Sequence, residues 1–150
     1  SGQVTMSHAG LKPKARMANE SEFLSGKKTI MVATTAFGMG IDLDSVDLVI
    51  HFNMSLSLTD YMQQSGRAGR NGQKAHAVLL YSDEDYYTNL AILHDGHPTL
   101  RGMGQLDIMK EFCDDNEHCM AQLLLEHFGQ KMKKSCKHCT VCQKNRRAEK

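Results

Sequence analysis

Thr29-Ile30-Met31-Val32-Ala33-Thr34-Thr35-Ala36-Phe37-Gly38-Met39-Gly40-Ile41-Asp42 is a short apolar run that breaks into a glycine-punctuated loop. The run has the length and branched side chains of a strand. In open α/β sheets, ligands bind beyond the carboxyl ends of strands. Gly38 and Gly40 would let the backbone approach a phosphate closely, and Thr34 adds a hydroxyl donor just past the strand. The loop reads either as a phosphate-facing element or as an ordinary tight turn from strand to helix.

Outward from this loop, short apolar runs alternate with amphipathic stretches. Residues 46–52 and 75–81 read as further strands, and all three strands are expected to be largely buried. Pro13 to about Leu24 predicts a helix, with Pro in its first turn and Gly26 at its end. Ser57-Leu58-Thr59-Asp60 has the form of a capping box and opens a helix through Tyr61 to about Ala68. Ser82-Asp83-Glu84-Asp85 repeats the signal before Tyr86–Leu93. Such alternation predicts an α/β domain over residues 1–96, with a mostly parallel sheet covered on both faces. Residues 97–106, with Pro98, Gly102 and Gly104, read as a linker. Two helical stretches follow, about 105–115 and 118–128, and then a basic, cysteine-rich tail without periodicity.

Composition sets the outer limits. At 41% hydrophobic and 23% charged, the 150 residues can build a core, which excludes disorder as the main state. The net charge of +1 is a cancellation: residues 1–130 hold 10 basic and 16 acidic side chains, residues 131–150 hold 8 and 1. Asymmetry of that kind points toward nucleic acid. Mostly apolar stretches fall far short of the roughly 20 residues that span a bilayer. Neither a membrane span nor a secretory signal is expected, and the chain reads as intracellular.

The second glycine-punctuated loop is Tyr61-Met62-Gln63-Gln64-Ser65-Gly66-Arg67-Ala68-Gly69-Arg70-Asn71-Gly72. Arg67 and Arg70, three apart at a helix end, can share a face and converge on an anion; fixed guanidinium forks suit phosphate oxygens. The plainer alternative is a solvated surface pair. The five cysteines stand at 113, 119, 136, 139 and 142. Cys119, Cys136, Cys139 and Cys142 have the spacing of a four-thiolate zinc site, the alternative being free thiols or a redox pair. A tail so poor in apolar residues needs such a staple to order itself.

Taken together, the two loops resemble motifs V and VI of the second RecA-like lobe of superfamily 2 helicases, and most closely the RecQ family of DNA helicases. Ala33-Thr34 through Phe37-Gly38-Met39-Gly40-Ile41-Asp42 is similar to motif V, and Gln63 through Ser65-Gly66-Arg67-Ala68-Gly69-Arg70 to motif VI. Ser7-His8-Ala9-Gly10-Leu11 resembles the segment before the lobe's second helix. The fold class so implied is α/β: a RecA-like parallel-sheet lobe, incomplete at its N-terminus, followed by a small helical four-cysteine zinc module over 107–143 and a basic tail over 144–150.

The resemblance implies roles residue by residue. Arg70 matches the arginine finger and Arg67 its companion. Gln63, Asp42 and Gly40 match the nucleotide side of the interlobe site. Thr34 matches a contact to the DNA backbone. Cys119, Cys136, Cys139 and Cys142 match the ligands of Zn2+, and Lys133, Lys134 and Lys137 belong to a basic face expected to meet phosphate. His118 and His138 are not expected to ligate, and Cys113 is left as a buried thiol. Five positions depart from the family pattern: Leu43, Gln64 and Asn71 each lack a usual charge, and Met120-Ala121 replaces a usual pair of arginines.

No G-x-x-x-x-G-K-[ST] phosphate loop occurs in the chain. ATP with Mg2+ would be held mainly by a first RecA-like lobe, an expected partner along with single-stranded or junction-containing DNA. The expected function is therefore part of an ATP-dependent 3′–5′ DNA helicase, nuclear in a eukaryote and otherwise in the cytoplasm or nucleoid. The chain alone is expected to be inactive as an ATPase. The alternative is a non-catalytic DNA- or protein-binding module derived from a helicase.

Overall fold

The computed structural model describes residues 2–35, 37, 46–96 and 99–148. The chain forms two compact units, Ser1–Asp47 with Arg67–Ala75, and Leu48–Gly66 with His76–Lys150.

The first unit is built on a βαβ turn of chain. Strand β1 (Val4–Ser7) runs parallel to β2 (Ile30–Ala33), and helix α1 (Pro13–Leu24) makes the crossover. Pro13 starts α1 because its missing N–H is one of the donors that a first turn leaves unpaired. Ser25 caps the other end, and Gly26 then takes φ +74°, a left-handed conformation that suits glycine. The helix is tied to β1 by side chains: Ser7 Oγ donates to Glu20 Oε1 at 2.7 Å, and Asn19 Nδ2 donates to the Met6 carbonyl at 2.9 Å.

In the second unit β3 (Leu48–His51) and β4 (His76–Leu79) are again parallel, in the register Leu48↔His76 to His51↔Leu79. Helix α2 (Leu58–Ser65) lies between them in sequence, and its N-cap is the expected one: Ser57 Oγ accepts from the Asp60 amide at 3.1 Å. Helix α3 (Asp83–Asp95) starts where Ser82 N–H donates to Asp85 Oδ2 at 3.0 Å. Helices α4 (Leu100–Asp114), α5 (Met120–His127) and α6 (Thr140–Ala148) complete the unit.

The core of this unit is helical. Leu58 and Tyr61 of α2, Met54 of the preceding loop, and Leu106, Met109 and Phe112 of α4 form one buried cluster. Leu90 and Leu93 of α3 and Leu123 and Leu124 of α5 pack against it. Leu106 and Met109 are fully buried, each contributing about 1.5–3 kcal/mol by removal from water. The Tyr61 ring bridges His51 at 5.0 Å and Phe112 at 5.7 Å between centroids, joining strand to helix.

Three expectations need correction. The strands are not largely buried: Val32 is 61% exposed and Ile50 55%, and Val4, Met6, Ile30 and Leu48 are exposed as well. Each sheet described has two strands with one helix between them in sequence. The stretch 97–106 is helical from Leu100 onward, because Thr99 Oγ1 accepts from the Gly102 amide at 3.1 Å and caps α4. The tail contains α6, anchored by buried Val141 rather than by any long apolar face.

Candidate functional site

The cysteine cluster is assembled by the helical unit. Cys119 is buried at the N-cap of α5, and Cys142 sits in the first turn of α6. Between them, Lys137 adopts φ +62°, folding the Cys-x-x-Cys segment into a knuckle. Backbone amides point at the sulfurs: Cys136 N–H donates to Cys119 Sγ at 3.2 Å, and Cys139 N–H donates to Cys136 Sγ at 3.2 Å. Cys142 N–H donates to Cys139 Sγ at 3.5 Å.

All four sulfurs lie within 4.8 Å of one another, and none is in a disulfide. A tetrahedron with metal–sulfur bonds of about 2.3 Å has edges of about 3.8 Å; Cys136 and Cys142 are 4.0 Å apart. Burial alone would raise the Cys119 thiol, but the amides of Cys136 and Gln122 outweigh it and bring the thiol down to about 6. Cys139 is lowered as well: the amide N–H of Cys142 and the neighbouring thiols overcome its burial. Cys142 is held up to about 11, first by burial and then by the thiol of Cys139. Four sulfurs at this spacing, with backbone amides directed at them, fit Zn2+.

The remaining candidates stand apart from this set. His118 Nδ1 is 2.8 Å from Asp115 Oδ2, a hydrogen bond that raises the imidazole and occupies the ring outside the cluster. Cys113 is half-buried against the helical core, and burial pushes its thiol up to about 12, the signature of an inert sulfur. Lys133, Lys134 and Lys137 are exposed around the knuckle, and no carboxylate occurs between His127 and Ala148.

The glycine loops are formed differently. Thr34 is exposed immediately beyond β2, where its amide donates to the Ser7 carbonyl at 3.2 Å and its carbonyl accepts from Phe37. Phe37 then packs edge-on against Phe23 of α1. Gly40 and Asp42 lie outside the described residues. Gln63 is exposed on α2, whereas Gln64 turns inward, its Oε1 2.9 Å from His51 Nε2. Burial pushes His51 below its usual value, so this buried contact links two neutral groups. Sequence reasoning missed it; the available signal was a histidine sharing the inward parity of Val49 in β3.

Helix α2 ends at Ser65, with Gly66 as its cap, so Arg67 and Arg70 do not share a helix face as expected. They flank a turn. Ala68 bridges to Val46 in parallel fashion, and the Gly69 amide donates to the Val46 carbonyl at 3.0 Å. Gly69 has φ +72°, and a Cβ there would stand 2.9 Å from the Gln73 carbonyl oxygen. Only glycine fits, and the spacing of the two arginines is set by this bend.

A parallel-stranded lobe carrying an arginine turn, continued by a helical four-thiolate module, is the architecture of a helicase C-terminal lobe with a zinc module. Residues 2–72 match the helicase conserved C-terminal domain, and residues 61–143 match the RecQ zinc-binding family. The chain belongs to the RecQ family. It is 38% identical over 141 residues to the ATP-dependent DNA helicase hus2/rqh1 of Schizosaccharomyces pombe, covering 90% of this chain and 11% of that protein. It is 32% identical over 143 residues to the ATP-dependent DNA helicase RecQ of Bacillus subtilis, covering 94% of this chain and 24% of that protein. The chain thus spans less than a quarter of the length of these relatives. Among solved structures, a yeast DEAD-box splicing factor superposes with a TM-score of 0.50 at 28% identity, over 68% of this chain and 23% of that one. No helix of the described residues is long and apolar enough to cross a membrane.

Proposed function

We propose that this chain supplies the C-terminal motor lobe, residues 1–96, and the zinc module, residues 107–143, of an ATP-dependent 3′–5′ DNA helicase of RecQ type. The observation that carries the reading is the closed set of four sulfurs directly following a lobe with an arginine turn. Arg70 is the arginine finger, stabilising charge on the γ-phosphate of ATP held with Mg2+ mainly by a first RecA-like lobe; Arg67 is its companion. Gln63, Asp42 and Gly40 are assigned to nucleotide binding on the resemblance to motifs V and VI. Thr34 grips the DNA backbone, a contact indifferent to sequence, as stepping requires.

Cys119, Cys136, Cys139 and Cys142 would hold Zn2+, which supplies a structural cross-link and no chemistry of the reaction. The residues of the module do the rest: Val141 seats α6, and Lys133, Lys134 and Lys137 present positive charge to single-stranded or junction-containing DNA. The site of action is the nucleus in a eukaryote and the nucleoid in a bacterium.

The test is Arg70→Ala in the full protein. DNA-stimulated ATP turnover should fall roughly 10³-fold or more, while affinity for DNA stays within a small factor. A fall of less than tenfold removes the finger assignment. A second reading, a non-catalytic binding module, is favoured by Gln64, whose neutral amide is engaged inward on His51. ATP hydrolysis by the full protein decides against it.

A further inference from the structure

Three stretches of chain bring the four sulfurs together: the turn before Cys119, the loop that leads to Cys136, and the knuckle that continues into α6. Regular backbone pairing does not order the middle of this path. Among the described residues, 131–138 lie outside every helix and strand and make no backbone–backbone hydrogen bond. Apolar burial does not order it either, since none of these eight residues is buried.

Each stretch is instead tied by one side chain bonded to backbone. Asp115, which ends α4, holds the first: its Oδ1 accepts from the amides of Glu117 at 2.9 Å and His118 at 2.7 Å, turning the chain into Cys119. Asp114, the residue before it, accepts from the Tyr81 hydroxyl at 2.7 Å and so fixes the helix end from which this turn leaves. Gln122 of α5 holds the second stretch. Its Nε2 donates to the Met132 carbonyl at 3.0 Å, with only residues 133–135 between that clamp and Cys136. Gln143 of α6 holds the third, its Nε2 donating to the His138 carbonyl at 2.7 Å just past the bend at Lys137. None of the three bonds is made to a sulfur; they act on the chain that carries the ligands. Ordering a loop costs entropy, and a clamp made beforehand removes that cost from the binding step.

We propose that Asp115, Gln122 and Gln143 are positioning residues that hold the four sulfurs close to their binding geometry before the metal arrives, and so raise the affinity of this chain for Zn2+. The inference rests on the zinc reading above and adds to it three residues outside the ligand set.

The test is the zinc dissociation constant of the full chain, measured by competition with a chromophoric chelator. Gln122→Met and Gln143→Met keep the side-chain length and remove the donor; each is expected to weaken zinc binding roughly threefold, the share of one hydrogen bond. Asp115→Ala releases two amides and the His118 ring, and should weaken it roughly tenfold. The clamps have no partner in common, so the triple variant should multiply these losses to on the order of 100-fold. Asp115→Asn keeps an oxygen for both amides while removing the charge, and should stay within about threefold of wild type. Cobalt in place of zinc gives a second readout: its visible spectrum should keep the wild-type shape in every variant, because the ligands are unchanged. Thr99→Ala removes the cap at the other end of α4 and leaves all three clamps in place, so zinc affinity should hold.

A triple variant that binds zinc as tightly as wild type overturns the proposal. So does a loss in Thr99→Ala equal to that in D115A, which would trace the effect to helix stability alone. D115N as weak as D115A would make charge the cause, and an altered cobalt spectrum would put the side chains in the ligand set; either result ends the positioning role. Wild type that retains no zinc sinks the zinc reading itself, an outcome distinct from a zinc-binding wild type with a silent triple variant.

Discussion

Between Cys119 and Cys142 the chain brings all four donors of the metal site to within 4.8 Å, from the starts of two helices and one knuckle. At the carboxyl edge of β1 and β2, polar groups are placed instead by where the two strands stop. The first arrangement is closed: its donors share one ligand, so removing one disables the others. The second is open, and under the proposed function its groups would act together only on a long polyanion lying across them. Effects should therefore be large and cooperative in the cluster, and smaller and separable at the edge.

The strongest way to break that contrast is Cys119→Ser. Metal analysis should fall from about one zinc per chain to near zero, because structural sites need all four ligands. Zinc binding of this kind is worth on the order of 10 kcal/mol and is folding energy. The helical signal of α6, whose buried contact is Val141, should go with it. A variant that keeps half its zinc, with α6 intact by hydrogen exchange, would show the cluster to be as separable as the edge.

A step smaller is Leu106→Ala, which opens a cavity at a fully buried position of α4. Stability of the helical unit in urea should drop by about 2–5 kcal/mol. Zinc content at ambient temperature should be unchanged, since Cys119, Cys136, Cys139 and Cys142 belong neither to this buried core nor to the side chains packed against it. In the first unit, Gly69→Ala forces a methyl group into φ +72° against the Gln73 carbonyl. The cost is about 1–2 kcal/mol from backbone conformation, with more from the contact. Because the bend spaces Arg67 and Arg70, turnover in the full protein should fall even where the fold persists; equal activity would show that the bend does not set the arginines.

The same contrast explains what could be read in advance. Cluster spacing is a local property, so Cys119, Cys136, Cys139 and Cys142 were legible from residue type and interval alone. The caps of α1, α2 and α3 were legible for the same reason: Pro13, Ser57 and Ser82 act within one turn. What escaped depends on distant chain. Strand β1 is only four residues, its alternation is inverted with Thr5 and Ser7 as the buried members, and it exists because β2 offers it a ladder. Helix α6 has little apolar surface and is held at Val141 and Cys142. Gly102 and Gly104 looked like a linker until Thr99 supplied a cap. The placing of Arg67 and Arg70 in a bend hangs on a bridge to Val46, twenty-two residues before Ala68. Burial of the strands was misjudged because apolar content was taken as coverage, and two-stranded pairs do not provide it.

The smallest expected effect concerns pH and the loop that follows β3. Asp85 is 9% exposed, and its carboxylate gathers that loop: Oδ1 accepts from Asn53 Nδ2 at 2.7 Å, while Oδ2 accepts from the amides of Ser82 at 3.0 Å and Met54 at 3.3 Å. Burial alone would raise this carboxyl, but the three hydrogen bonds outweigh it and hold it below the usual aspartate range. With the folded value below the unfolded one, the stabilisation is complete above the unfolded value of about 4 and is lost as pH falls through the folded value. Asp85→Asn should cost about 1 kcal/mol in urea unfolding at near-neutral pH. The gap between wild type and D85N should then narrow as pH falls below about 4 and close once it passes the folded value, because protonation removes from the wild type what the mutation removes at any pH. Curves that stay parallel over that range would place the acid sensitivity of this unit on other carboxylates. The first to examine would be Asp114, whose carboxyl is lowered by Lys110 and Tyr81, the residue that precedes Ser82.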